Sequence, residues 1–209
     1  MTQRPTLHIV DSNSRSRAEQ ARLGFELGYH SEIYADIAEL KLSLPSHGIV
    51  LVHDAEDSGL LADVITTLSL AGIWLPVVAM SENAPPSRVV DAIKQGALDY
   101  LSLPLTSETL KETISRIDEE AAAHGEARRK MVKARSSIES LSPREREVLD
   151  WLSQGNSNKT IARELNISPR TVEVHRASMM NKLGASHAAE AVRLRLEAHI
   201  DGKKTAGFA

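Results

Sequence analysis

Three oxygen-bearing side chains follow short apolar runs in the first half of the chain. Asp11, Asp54 and Ser81 each come directly after a run of strand length. One carboxylate of such a trio could accept a phosphoryl group, while the other would help to hold Mg²⁺, which takes oxygen ligands. The combination therefore suggests phosphoryl transfer, provided that the fold brings the three side chains together.

The apolar runs alternate with segments of helical periodicity, which is typical of a parallel sheet covered by helices. We predict strands at residues 6–10, 31–34, 48–53, 75–80 and 100–101, and helices at 14–27, 37–42, 60–70, 87–95 and 109–120. Five repeats of strand and helix predict an α/β, doubly wound fold with a five-stranded parallel sheet. Functional groups gather at the carboxyl ends of the strands in such folds, so the three side chains would lie at one edge.

A short motif ends the fourth of these helices and runs into the fifth strand. It reads KQGALDYL at residues 94–101, with Leu103-Pro104 close behind. On this motif, residues 5–120 resemble the receiver domain of two-component response regulators. The resemblance implies a flavodoxin-like fold, in agreement with the architecture that the apolar pattern predicts.

The receiver resemblance also assigns roles to individual residues. It implies that Asp54 is the phospho-acceptor and that Ser81 and Tyr100 are the hydroxyl and the aromatic residue of a switch. Asp11 and Asp54 would hold Mg²⁺ when the domain is phosphorylated. The implied partner is a sensor histidine kinase, or another regulatory protein if phosphorylation is absent.

Several positions depart from the receiver pattern. Ser12 stands where a second acidic residue is expected, and Leu103 stands where the pattern has lysine. Leucine cannot pair with a phosphoryl oxygen, and the loop 55–59 lacks the usual Met-Pro turn. These departures predict a receiver in which phosphorylation is impaired or plays no part.

Purely structural roles could explain the same side chains. Asp11 and Asp54 could cap the starts of helices, where a carboxylate favours unpaired backbone N–H groups. Ser81 could be a turn hydroxyl and Tyr100 a half-buried residue of the sheet. Both interpretations stay open at the level of the sequence.

The composition changes after residue 120 to a stretch rich in Ala, Glu, Arg and Lys, which we interpret as a largely helical linker. Leu110, Ile114 and Ile117 have the spacing of an apolar helix stripe, which we expect to pack on the domain's own sheet. Dimerisation through this stripe is the alternative. The predicted domains are residues 1–120, the linker 121–137 and residues 138–209.

The last part of the chain carries clear helix-boundary signals. Ser142 and Glu145 have the spacing of a capping box, Pro143 occupies the first helical position, and Gly155 is placed to end the helix. Further helices are predicted at residues 157–165, 168–183 and 186–199. Short helices joined by tight turns predict a small all-α, four-helix domain with a helix-turn-helix unit, which reads DNA.

The helix at 168–183 has two different faces. Val172, Met179 and Leu183 fall together and predict a core face. The opposite face presents small, polar and charged side chains, namely those of Arg170, Glu173, Val174, Ala177, Ser178 and Asn181. Such a face can enter a DNA groove, although plain solvent-exposed surface has the same pattern.

Three matched stretches identify the kind of DNA-binding domain: LSPREREVL at residues 141–149, TVEVHR at 171–176 and KL at 182–183. On these, residues 141–198 resemble the LuxR-type, four-helix domain of the NarL and FixJ regulators. The resemblance implies that Glu173, Val174 and Ala177 approach base edges, where glutamate suits a cytosine amino group and valine a thymine methyl. The side chains implied to hold phosphates are those of Asn158, Lys159, Arg170, Thr171, Arg176 and Lys182. The last helix would supply a dimer surface, with Val192 and Leu196 as its apolar positions.

The composition of the chain excludes several classes of protein. The chain of 209 residues has a net charge of -3 and no cysteine, which excludes disulfides and thiolate metal sites and favours a reducing, cytoplasmic location. Its eight histidines form no His-x-x-x-His pair, so we predict no zinc site. No segment reaches membrane-spanning length, and no catalytic fingerprint occurs. We therefore predict a soluble non-enzyme, with double-stranded DNA as its partner.

Three functional interpretations follow. The favoured one is a DNA-binding transcription regulator, expected to be a homodimer, whose atypical receiver acts without phosphorylation and responds to protein level, a ligand or another protein. The second is a conventional two-component regulator that is activated by phosphorylation of Asp54. The third is an adaptor whose helix-turn-helix no longer touches DNA, and loss of salt-dependent DNA binding would distinguish it.

Overall fold

The computed structural model describes residues 4–56 and 58–198. The chain divides into two compact units. The first runs to residue 126 without residues 70–72, and the second contains residues 70–72 and those from 127 onward. Among the described residues, no helix is both long enough and apolar enough to cross a membrane.

Strands and helices alternate through the first part of the chain. The elements are β1 (Thr6–Val10), α1 (Ser14–Glu26), β2 (His30–Tyr34), α2 (Ile37–Leu42), β3 (Ile49–His53), α3 (Leu60–Leu70), β4 (Val77–Ser81), α4 (Pro86–Gln95), β5 (Asp99–Ser102) and α5 (Ser107–Glu139). All neighbouring strands are parallel, in the order β2-β1-β3-β4-β5. The predicted α/β, doubly wound, five-stranded parallel sheet is confirmed.

The three central strands, β1, β3 and β4, are buried along almost their whole length because helices cover both faces of the sheet. Successive strand residues point to opposite sides, so two separate clusters form. One cluster joins Val10, Val50, Val52, Val77 and Ala79 to Leu61, Val64 and Leu68 of α3. The other joins Leu7, Ile9, Leu51, Val78 and Met80 to Leu110, Ile114 and Ile117 of α5. The predicted stripe of α5 therefore packs on its own sheet.

Four of the five strands differ from their predicted limits at one or both ends, and the differences at β4 and β5 have a backbone cause. β4 begins at Val77 rather than at residue 75, because Pro76 has no N–H to donate to the ladder. β5 runs from Asp99 to Ser102 rather than over two residues. Its polar end residues were left out of the prediction, but their backbone also pairs with β4.

Helix α5 is much longer than the predicted helix at 109–120, since its 33 residues continue through the whole of the predicted linker. The residues beyond 120 are mostly Ala, Glu, Arg and Lys, which have high helix propensity. The linker is thus helical in the structure, while the limits of the three predicted domains stay predictions.

The second unit is helical after α5. Its further elements are α6 (Pro143–Ser153), α7 (Asn158–Glu164), α8 (Pro169–Leu183) and α9 (Ala188–Glu197). The predicted capping box is present, because Ser142 accepts a hydrogen bond from the N–H of Glu145, whose side chain accepts one in return. One core forms from Leu141, Val148, Leu149, Leu152, Ile161, Ala162, Val172, Met179, Leu183 and Ala191. α9 starts two residues later than predicted, and the predicted end at His199 lies outside the described residues.

A buried histidine of β1, His8, is expected to make the stability of the first unit depend on pH. His8 donates from Nε2 to the backbone carbonyl of His47 at 2.9 Å, and its Nδ1 lies 3.2 Å from the Tyr34 hydroxyl. Burial lowers the pKa of His8, although the bond to His47 and the charge of Glu32 act in the opposite direction. The unfolded chain therefore binds this proton more readily than the folded chain.

We expect the free energy of unfolding of the first unit to fall as pH is lowered below about 6.5, the reference pKa of histidine. The contribution of His8 is complete above that pH and is lost towards the lower pKa of the folded state. Urea unfolding between pH 8 and pH 5 measures it. A His8→Gln variant should have a flatter profile, and an unchanged profile would contradict the assignment.

Candidate functional site

Asp54 lies at the carboxyl end of β3, where the sheet brings three predicted residues together. The Tyr100 hydroxyl is 2.9 Å from Asp54 Oδ2 and 3.1 Å from Ser81 Oγ. Ser81 ends β4 and Tyr100 belongs to β5. The cluster of Asp54, Ser81 and Tyr100 is therefore formed by three neighbouring strands. The geometry predicted for these side chains is therefore present, while their role in a switch stays a prediction.

A fourth residue, Arg88 of α4, contacts the same carboxylate and was missed by the sequence analysis. Its Nε donates to Asp54 Oδ2 at 2.7 Å and its Nη2 donates to Oδ1 at 3.1 Å. Nη2 also donates to the carbonyl of Ala55. The guanidinium thus donates to both carboxylate oxygens in the planar, bidentate geometry that is typical of strong arginine–carboxylate ion pairs. The only available signal was a basic residue in the first turn of the helix that follows Ser81.

Electrostatics favour the ionised form of Asp54. Burial alone would raise its pKa, but hydrogen bonds from Arg88 and Tyr100, together with the charges of Arg88 and His53, hold the pKa below its usual value. The hydrogen bond to Asp54 raises the pKa of Arg88, and burial raises the pKa of Tyr100. The pair is therefore fully charged, with Tyr100 protonated beside it.

Asp11 is completely buried and has partners of its own. Its Oδ1 accepts from the N–H of Asn13 at 2.9 Å and lies 3.0 Å from Nδ1 of His53, whose Nε2 lies 3.3 Å from Glu82. Gln20 donates to Oδ2 at 3.4 Å. The cap of α1 is Asn13, so the alternative in which Asp11 caps this helix is wrong.

The donor set does not suit Mg²⁺ as it stands. A divalent cation needs several oxygen ligands, whereas the oxygens of Asp54 accept from Arg88 and Tyr100, and Asp11 faces His53. Across residues 4–56 and 58–198, no group of three or more His, Asp or Glu side chains is arranged to hold a metal ion. Leu103, at the position where a receiver has lysine, packs against the core of the sheet.

The second candidate site is the exposed face of α8. Ser168 caps this helix by accepting from the N–H of Thr171, Pro169 opens it, and Gly184 ends it in the left-handed conformation. Val172, Met179 and Leu183 are buried, as predicted. The opposite face is exposed, and Val174 is 60% accessible there.

The residues predicted to contact DNA differ in their surroundings. Arg170 pairs with Glu173 at 3.3 Å on the exposed face, and Ala177 is exposed beside them. Arg176 is half-buried and donates to Asn158 of α7 at 2.8 Å. The remaining members of the set are Lys159, Thr171 and Lys182, of which Lys159 and Lys182 are exposed and Thr171 is half-buried. Together with Val174, all nine residues predicted to contact DNA belong to α7 and α8.

Glu145 has a role beyond its capping box. Its carboxylate is 4% exposed and accepts from the Ser178 hydroxyl at 2.6 Å and from Lys182 Nζ at 2.8 Å. Burial disfavours the charge, but the hydrogen bonds from Lys182, Ser178 and Ser142 outweigh it and lower the pKa to about 2. The start of α6 is thereby fixed to the second half of α8.

The two residues of α9 that were predicted for a dimer surface differ in exposure. Leu196 is 64% accessible, in agreement with a contact residue. Val192 is half-buried and packs partly against the core of its own unit, and the dimer surface stays a prediction. The spacing of the two residues could not distinguish these roles, because a helix of a small domain also needs an inward face.

A parallel α/β unit with Asp54, Ser81 and Tyr100 clustered at one edge of its sheet, followed by a helix-turn-helix unit, is the arrangement of a DNA-binding response regulator. Residues 139–195 match the family model "Bacterial regulatory proteins, luxR family". FixJ of Bradyrhizobium diazoefficiens is 34% identical over 203 residues, which cover 95% of this chain and 98% of the relative. TtrR of Salmonella typhimurium, a tetrathionate response regulatory protein, is 30% identical over 90% of both chains.

Solved structures agree with the sequence relatives. Full-length FixJ from B. japonicum superposes with a TM-score of 0.53 and 29% identity, over 94% of this chain and 98% of the other. The response regulator StyR gives a TM-score of 0.51 and 26% identity, over 93% and 99%. The chain belongs to the NarL/FixJ-type response regulators, with a receiver fold and a LuxR-type DNA-binding domain.

Proposed function

We propose that this response regulator binds DNA as a homodimer and that its receiver controls the DNA-binding domain without phosphorylation of Asp54. The observation that carries the proposal is the two-pronged ion pair between Arg88 and Asp54. In this function the receiver is a dimerisation or partner-binding module. Activity then follows protein level, a ligand or another regulatory protein.

The ion pair opposes phosphoryl transfer for two reasons. An acceptor carboxylate attacks phosphorus with a lone pair, and here Arg88 binds both oxygens while Tyr100 binds one of them. The incoming phosphoryl group also needs cations at its own oxygens. Leu103 carries no charge, and Ser12 supplies no carboxylate for a metal.

The conventional function remains the second candidate because one observation favours it. Ser81 and Tyr100 lie beside Asp54 in the arrangement that the receiver resemblance predicts. If Asp54 is phosphorylated, the upstream partner is a sensor histidine kinase, and Asp11 and Asp54 are the residues that would hold Mg²⁺. Arg88 would have to leave the carboxylate first.

For DNA, we propose that α8 enters the major groove. Glu173, Val174 and Ala177 would face base edges, since their side chains are exposed and lie on one face. Contacts with phosphates would come from the polar and basic side chains around that face: Asn158, Lys159, Thr171, Arg176 and Lys182. Two such helices in a homodimer would read paired half-sites.

Phosphoryl uptake tests the mode of control. The full-length protein is incubated with acetyl phosphate and Mg²⁺, and its intact mass is measured. We expect no added phosphoryl mass on the wild type, because Arg88 and Tyr100 hold the acceptor oxygens. A phosphoryl adduct that disappears in Asp54→Asn would overturn the proposal in favour of the conventional function.

Two arginine variants show whether the ion pair is the cause. Arg88→Met removes the guanidinium and keeps an unbranched side chain with good helix propensity. Arg15→Met, which changes an exposed arginine of the same unit, is the matched control. Uptake by Arg88→Met alone would identify Arg88 as the blocking residue. Equal resistance of all three proteins would place the cause in Leu103 and Ser12.

A further inference from the structure

Arg170 occupies a different place from the other cations around α8. We propose that Arg170 is a base-reading residue that recognises a guanine in the major groove, with Glu173 orienting its guanidinium. The proposal rests on the proposed DNA-binding role of α8 and assigns one base pair of its operator. It replaces the phosphate contact that the family resemblance implied for Arg170.

The helical geometry places Arg170 at the centre of the exposed face. With about 100° per residue, Arg170, Ala177 and Asn181 lie within roughly 20° of one line along the helix. The buried residues Val172 and Met179 lie on the opposite side. A helix that inserts with its exposed face forward therefore directs Arg170 towards the base pairs.

The other cations lie at the flanks of that face and are tied to neighbouring helices. Arg176 donates to Asn158 of α7 at 2.8 Å, and Lys182 donates to Glu145 of α6 at 2.8 Å. The sugar-phosphate strands pass along the flanks of a helix in the groove, so these positions suit phosphates. The side chain of Arg170 is 87% exposed, and the ion-pair partner that it has among the described residues, Glu173, belongs to α8 itself.

Glu173 explains both the orientation of the Arg170 guanidinium and the preference for a particular base pair. Glu173 lies one turn after Arg170 and holds the guanidinium at 3.3 Å. A guanidinium can donate twice to O6 and N7 of guanine, and a carboxylate can accept from the amino group of cytosine. The two side chains together match a G·C pair or two adjacent pairs. The small residues Ala177 and Ser178 leave room for the bases.

The ion pair also predicts a weak contribution to non-specific binding. Arg170 and Glu173 together carry no net charge, so inserting them releases few counterions from the DNA. A phosphate-binding lysine does the reverse, because it neutralises one phosphate and adds to the salt dependence. The two roles therefore differ in a measurable quantity.

The experiment uses the full-length protein with duplexes selected from a random library. Affinity is measured for the selected site and for each single-pair replacement of it, at several salt concentrations. We expect Arg170→Ala to weaken binding of the selected site about 10- to 100-fold and to abolish the preference at one G·C pair. The slope of log K against log salt should stay unchanged.

Lys159→Ala is the matched control, since Lys159 is an exposed cation of α7. Its loss should weaken all duplexes by a similar factor and reduce the salt slope by about one. The same uniform behaviour in Arg170→Ala would overturn the base-reading role and leave the proposed DNA binding intact. A wild type that selects no sequence and binds duplexes without salt dependence would overturn both.

Discussion

Replacing Gly48 with alanine is expected to destabilise the first unit by about 3 kcal/mol or more, since left-handed strain and a backbone clash add together. Gly48 has φ +98°, and a Cβ atom there would lie 2.3 Å from the carbonyl oxygen of Thr6. The clashing atom belongs to the backbone of β1, so no rotamer change can relieve it. Urea unfolding of the variant measures the loss.

Gly28 offers a matched control for the clash. Its φ is +86°, but a Cβ atom there would meet nothing within 4 Å. Gly28→Ala should therefore cost only the backbone strain, about 1–2 kcal/mol. Similar losses in the two variants would show that β1 and β3 can separate enough to admit the methyl group of Gly48→Ala.

Replacing Glu145 with alanine is expected to destabilise the second unit by about 3 kcal/mol and to weaken DNA binding with it. The change leaves Lys182 and Ser178 without their buried partner and removes half of the capping box. Thermal unfolding and duplex binding of the full-length variant measure the two effects. Glu147→Ala, which removes an exposed carboxylate of the same helix, should change stability by less than about 1 kcal/mol.

The low pKa of Glu145 adds a pH test with a defined sign. The pKa is about 2 in the folded chain and 4.5 in the reference state, so the unfolded chain binds this proton first. The stabilisation is complete above pH 4.5 and is lost as pH falls towards 2, by about 3 kcal/mol in all. Wild type and Glu145→Ala should converge at low pH. Parallel stability curves would contradict the role of this carboxylate.

Hydrophobic periodicity and helix-capping residues were sufficient to predict most of the helices and strands. The central strands β3 and β4 are almost entirely apolar because both faces of the sheet are covered, and such runs can be recognised in the sequence. Ser142, Ser168 and Gly184 define helix ends through local backbone geometry. The linker was predicted to be helical, but its continuity with α5 was not, because the apolar stripe stops while the helix propensity of the following residues remains high.

The candidate sites were predictable only in part, because their partners are distant in sequence. Ser81 and Tyr100 could be placed beside Asp54 by strand order and resemblance. Arg88 reaches Asp54 across 34 positions of sequence, and Lys182 reaches Glu145 across 37. No local spacing encodes such pairs, since they depend on how α4 packs on the sheet and how α8 packs against α6.

The ion pair between Arg88 and Asp54 affects how long this regulator would stay in one functional state. An aspartyl phosphate is a mixed anhydride that water hydrolyses, so a phosphorylated regulator returns to its resting state on its own. An ion pair between two side chains of the folded chain contains no covalent bond that water can hydrolyse. Under the proposed function, regulation by this protein therefore rises and decays with synthesis, dilution and degradation of the chain, or with the supply of its partner.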